Sequence, residues 1–73
     1  TKVKKINGSE IITINLPGVK SLDDIEIKKL EQSIEVKAFC DGKVYFTLIP
    51  IKPHSRIVGR RFEKGILTLE VRG

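Results

Sequence analysis

Phe62-Glu63-Lys64-Gly65-Ile66-Leu67-Thr68-Leu69-Glu70-Val71 is the stretch that decides the fold. Leu67, Leu69 and Val71 alternate with Thr68, Glu70 and Arg72, which sets an apolar face against a wetted one with a period of two. Gly65 follows two charged residues, where a turn needing positive φ places a glycine. A strand written this way cannot bury its apolar face alone. It needs a second sheet.

Working outward, the rest of the chain supplies more strands. Ile12, Ile14 and Leu16 share one face of a segment from Glu10 to Leu16, and Ile11, Thr13 and Asn15 share the other. Pro17 lacks the N–H a ladder needs and Gly18 takes the backbone angle of a bend, so this strand ends there. Before it, Thr1 to Ile6 is short and basic, an expected edge strand whose lysines discourage edge-to-edge pairing. Asn7-Gly8 joins the two as a hairpin. Ser21 with Asp24 three residues later has the pattern of a capped helical turn, but too few residues follow to build one. Ile25 to Leu30 begins another alternation, and Ile34, Val36 and Ala38 with Glu35 and Lys37 form a half-buried strand. Asp41-Gly42 is a second hairpin signal. Val44 to Ile51 is nearly all apolar, which predicts burial on both sides or a place across an open end of the core. His54 to Arg61 is expected to be a basic connection. No segment keeps a helical period. Six to eight short strands with turns between them predict an all-β fold, an antiparallel two-sheet β-sandwich of the immunoglobulin-like type.

The composition bounds the function. With 73 residues, of which 40% are apolar, the chain is one domain with a thin core. A core of that size gives marginal stability, so self-association or flanking sequence is expected to contribute. The chain opens on Thr1 and closes on Gly73, and it is expected to be part of a longer protein. The net charge of +5 comes from lysines and arginines scattered among acidic residues, as on an ordinary solvated face. Three phenylalanines, one tyrosine and no tryptophan give no basic-aromatic stacking patch for single strands. Nucleic acid is therefore not the expected partner. A lone cysteine, Cys40, forms no internal disulfide and fits a reducing compartment. The longest uncharged run, Ile11 to Val19, is too short to span a bilayer. A soluble, cytoplasmic protein without membrane contact is expected.

Catalysis finds little footing. His54 is the only histidine, and it sits between prolines in an expected loop. Cys40 at a strand end reads as a small hydrophobe rather than a thiolate nucleophile. No metal site is expected, since Cys-x-x-Cys and His-x-x-x-His spacings are both missing. Gly59-Arg60-Arg61 lacks the second glycine and following helix of a phosphate loop. Neither a cofactor nor an enzymatic activity is expected. What remains is binding.

At this point the chain resembles a known family. Leu16-Pro17-Gly18-Val19 followed by Asp24-Ile25-Glu26-Ile27 resembles the LPGV segment of the α-crystallin domain of small heat-shock proteins. Ile49-Pro50 sits where that family carries Leu-Pro, and Val58, eight residues later, matches the apolar position opening its next strand. Phe62, Gly65, Ile66 and Leu67 fall on its Tyr/Phe-x-x-Gly-Val-Leu signature without a gap. The resemblance covers nearly all of residues 1–73 and implies a single α-crystallin-like sandwich domain. It implies an ATP-independent chaperone, a holdase that binds exposed apolar segments of unfolded client proteins and forms homo-oligomers through flanking segments. It also implies a partner-binding groove with Ile25, Ile27 and Leu30 on one side and Ile57 and Val58 on the other, filled by strand addition of an extended apolar peptide. The same five residues are equally readable as plain core. Ile49-Pro50-Ile51 spells the Ile-x-Ile motif that such a groove accepts, but within the domain it reads as structural.

Three departures accompany the resemblance. Arg60 stands where the family has an alanine. Val44 and Tyr45 occupy the neighbourhood of an expected arginine. The two-residue Asp41-Gly42 join replaces a long loop that carries a partner-swapped strand. Trimmed in this way, the domain also resembles the family's co-chaperone relatives (CS domains) and the small domain fused to some arsenical-pump-type ATPases. The alternative it implies is a module that docks one folded partner. Arg56, Arg60, Arg61 and Lys64 make the densest basic cluster, expected to be a solvated face or a source of subunit salt bridges.

Overall fold

The computed structural model describes all residues from Thr1 to Gly73 and is an all-β sandwich of two antiparallel sheets. Seven strands run in the order β1 (Lys2–Ile6), β2 (Ser9–Asn15), β3 (Ile25–Lys29), β4 (Ser33–Cys40), β5 (Lys43–Pro50), β6 (Arg56–Glu63) and β7 (Ile66–Arg72). One sheet has the order β1-β2-β7-β6 and the other β3-β4-β5. The decisive stretch therefore covers the end of β6, a two-residue turn and nearly all of β7. β7 lies inside its sheet, between β2 and β6.

The turns follow from residues that tolerate the left-handed backbone region. Asn7-Gly8 has φ of 46° and 82°, and Asp41-Gly42 has 44° and 77°. Positive φ at both central residues matches the twist of flanking strands, so each pair closes a tight hairpin in register. Ile6 pairs with Ser9, and Cys40 with Lys43.

The core is what the period-two reading asks for. Ile12 and Ile14 of β2 and Leu67, Leu69 and Val71 of β7 are buried from one sheet. Ile25, Ile34, Val36, Ala38 and Ile49 answer from the other, and the connecting residues Leu16, Val19 and Ile51 close the ends. Fully burying one such branched side chain is worth about 1.5–3 kcal/mol relative to exposure. No buried side-chain nitrogen or oxygen lacks a partner.

Three expectations need correction. Ser21 does cap a turn: its side chain accepts from the Asp23 N–H across 3.1 Å and starts a single 3₁₀ turn, Leu22–Asp24. The segment His54 to Arg61 is not a plain connection, because Arg56–Glu63 forms β6 along the edge of a sheet. Its three arginines, two of them consecutive, and the glycine before them hid the strand. Finally, β5 is not buried on both sides. It is an edge strand of its sheet, and Val44, Phe46 and Leu48 are exposed while Ile49 alone is fully inside.

Candidate functional site

Two of the three sequence motifs that carried the resemblance touch each other. The Leu16 N–H donates to the Gly65 carbonyl across 2.7 Å, and the Val19 N–H donates back to the Leu16 carbonyl across 3.2 Å. Leu16 and Val19 are buried, whereas Pro17 and Gly18 arch outside. The arch is tied to the second sheet as well, since the Tyr45 hydroxyl donates to the Pro17 carbonyl across 2.9 Å. Gly18 (φ +89°) lies so close to Cys40 that a Cβ there would sit 2.6 Å from Sγ. The Leu16–Val19 arch thus links β2 to β3 while bridging both sheets, and it fixes where β3 begins.

β3 and β6 are both edge strands, one from each sheet. Ile25 is buried in the core, and Ile27 is half-buried and packed against it. Leu30 is half-buried just past the strand, where its N–H donates to the Ser33 carbonyl across 2.7 Å. On β6, Ile57 pairs with Val71 and is half-buried against the core. Val58 differs from the other four. The register with β7 slips between Ile57 and Gly59, so Val58 is the extra residue of a bulge, unpaired and 45% exposed.

That bulge changes which residues share a side of β6. After it, Arg60 pairs with Leu69 and Phe62 with Leu67, both of which point inward. The inward positions are therefore Ile57, Arg60 and Phe62, with Phe62 packed against the core. Strict alternation from Ile57 would select Gly59 and Arg61 instead; the sequence reading, which took His54 to Arg61 as a connection, assigned no phase to this strand and did not reach Phe62. The glycine next to two β-branched residues was the available signal, because glycine inside a strand pattern marks bulges.

The basic cluster divides only in part: Arg56 and Arg61 share the outer face of the four-stranded sheet, and Arg60 takes an inward position at its edge. Arg60 and Arg61 are adjacent in a strand and take opposite sides. Arg61 joins the row Lys2, Thr13, Thr68, Arg61 across the outer face of the four-stranded sheet. Arg72 on that face donates to the Ser9 hydroxyl across 2.9 Å and pairs with Glu70 at 3.5 Å. An open dish of about 410 Å³ lies on this face, lined by Ile11, Gly59, Arg60, Arg61, Thr68 and Glu70, so both arginines reach it from the sheet edge. A second, of about 270 Å³, sits by the Asn7-Gly8 turn near Ser55 and Gly73. Neither is lined by Ile25, Ile27, Leu30, Ile57 or Val58.

Cys40 is a free, half-buried thiol at the end of β4, with Sγ 3.8 Å from the Asp41 carboxylate. Nowhere do three or more His, Cys, Asp or Glu side chains gather as a metal site would require. No helix is long and apolar enough to cross a membrane. What the geometry defines is a two-sheet antiparallel sandwich whose most open elements are its edge strands. No family model, curated protein or solved structure matches the chain.

Proposed function

We propose that this chain is a chaperone domain of the small heat-shock protein type, an ATP-independent holdase for unfolded client proteins. Its work is to dock an extended apolar segment beside β3 or β6. The observation that carries this reading is that both strands are sheet edges bearing inward apolar side chains: Ile25 and Ile27 on β3, Ile57 and Phe62 on β6. An edge strand leaves half its N–H and C=O groups free, so an extended peptide gains ladder hydrogen bonds there and side-chain contacts alongside. Capture of this kind requires apolar area and low specificity, with no covalent step. The contact between Leu16 and Gly65 supports the resemblance, because two motifs 49 positions apart in the chain meet as one structural unit.

The test is aggregation of a heat-labile client in the presence of the protein. Light scattering should fall as the protein is raised to several-fold excess. Scattering unchanged at that excess would remove the holdase reading. A second reading, a co-chaperone-like or ATPase-associated module for one folded partner in the same cytoplasmic setting, is favoured by the two-residue Asp41-Gly42 turn between β4 and β5. That turn leaves no room for a swapped strand. The same assay separates the readings, since a single-partner module leaves a generic client unprotected.

A further inference from the structure

The outer face of the three-stranded sheet carries an apolar stripe that the core does not use. Val44, Phe46 and Leu48 alternate along β5 and are 56%, 57% and 55% exposed. Phe39, paired with Val44, widens the stripe onto β4, and Pro50 extends it along β5. Charged residues flank it in an ordered way. One row across the sheet is Glu26, Lys37, Phe46 and the next is Lys28, Glu35, Leu48. The signs invert from one row to the next on both β3 and β4. None of these four charges has an ion-pair partner within the chain, whose only salt bridge joins Arg72 and Glu70.

We propose that this face is a homotypic interface, on which a second copy of the chain packs face to face about a two-fold axis. The axis lies across the strands, between the Phe46 row and the Leu48 row. Such an axis reverses strand direction while keeping each strand over its own counterpart. Phe46 then meets the partner's Leu48, and Val44 meets the partner's Pro50. Lys37 faces the partner's Glu35, and Glu26 faces the partner's Lys28. Every apolar residue of the stripe on β5 finds an apolar one, and every charge finds its opposite. A second copy is the occupant that satisfies both patterns at once: an axis along the strands between β3 and β4 would also match the charges, but it would leave the apolar stripe of β5 uncovered. The face spans three strands about 4.8 Å apart and eight residues at about 3.4 Å each, on the order of 400 Å² in projection. Standard interfaces bury about 800 Å² per partner, so the dimer is small and of the weak, concentration-dependent kind. This interface takes the outer face of β3, β4 and β5, whereas the chaperone reading concerns the free backbone edges and inward side chains of β3 and β6.

Sedimentation equilibrium of the whole chain over micromolar to millimolar concentration tests the proposal. The expected result is a reversible monomer–dimer equilibrium. Lys37→Glu should weaken the dimer at least tenfold by placing a glutamate over the partner's Glu35, and Glu35→Lys should do the same. The double variant Glu35→Lys/Lys37→Glu should restore affinity to within about threefold, since opposite charges face each other again. Its folding stability should meanwhile be the lowest of the set, because on β3 Glu26 and Lys28 now oppose like charges. Affinity and stability therefore move in opposite directions, which separates the interface from a folding defect. Phe46→Lys should leave the circular dichroism spectrum of a folded sheet protein and abolish association. A monomer at millimolar concentration would overturn the proposal. So would single swaps without effect, the result expected if copies pair edge to edge along β5, where Glu35 and Lys37 lie one strand away from the seam.

Discussion

The Leu16 N–H and the Gly65 carbonyl, 2.7 Å apart, join the end of β2 to the turn before β7. β2 and β7 are adjacent, and their ladder runs from Ser9 opposite Arg72 to Asn15 opposite Ile66. The Leu16–Gly65 bond extends that ladder one step past the strands and holds the arch at the point where the chain crosses from one sheet to the other.

Gly65 adopts φ +77°, and a Cβ there would meet the Leu16 carbonyl oxygen at an ordinary 3.5 Å. Gly65→Ala should therefore cost backbone strain rather than a clash, about 1–2 kcal/mol. Urea denaturation should show a lowered midpoint with an unchanged slope. A midpoint equal to the parent's would contradict the argument.

Gly18 should behave differently, since it combines φ +89° with a Cβ position 2.6 Å from Cys40 Sγ. Gly18→Ala should cost more than Gly65→Ala, and the excess should shrink by about 1 kcal/mol when Cys40 is also alanine. A double-mutant cycle measures that coupling. Strict additivity would show that the thiol and the arch do not touch.

Tyr45→Phe removes the hydroxyl that donates to the Pro17 carbonyl across 2.9 Å while leaving the ring against the core. The expected loss is about 0.5–1.5 kcal/mol in thermal or chemical unfolding. Stabilisation by this substitution would mean the arch is held from the first sheet alone.

Leu69 is fully buried and Val58 is exposed at the bulge, although both are aliphatic residues in strands. Leu69→Ala should cost about 2–5 kcal/mol, enough to unfold much of a population whose total stability is of that order. Val58→Ala should stay within about 0.5 kcal/mol. Equal losses at the two positions would place Val58 in the core and contradict the register of β6.

Much of the fold was legible because the residues that decide it are locally unambiguous. Asn7-Gly8, Asp41-Gly42 and Gly65 set three hairpins by backbone chemistry alone. Leu67, Leu69 and Val71 declare their face by alternation, and Ile34, Val36 and Ala38 do the same for β4. The failures have equally local causes. β5 alternates in burial but not in polarity: Phe46 and Leu48 are as apolar as Ile49, so no residue marks the wet face. β6 was obscured by its arginines and by the bulge at Val58, which shifts the phase of everything after it. A period-two pattern carries no information about an inserted residue. For the same reason the inward place of Phe62 on β6 was not legible from the sequence.

The central claim is that the margins of β3 and β6 take up an extended apolar segment, and amide chemical shifts test it most directly. A ¹⁵N-labelled sample should be titrated with a short soluble peptide containing Ile-x-Ile. The account predicts saturable shifts concentrated in Ile25–Lys29, in Arg56–Glu63, or in both, with the Lys2–Ile6 and Lys43–Pro50 amides unmoved. Shifts confined to Lys2–Ile6 or Lys43–Pro50, or none at millimolar peptide, would contradict it.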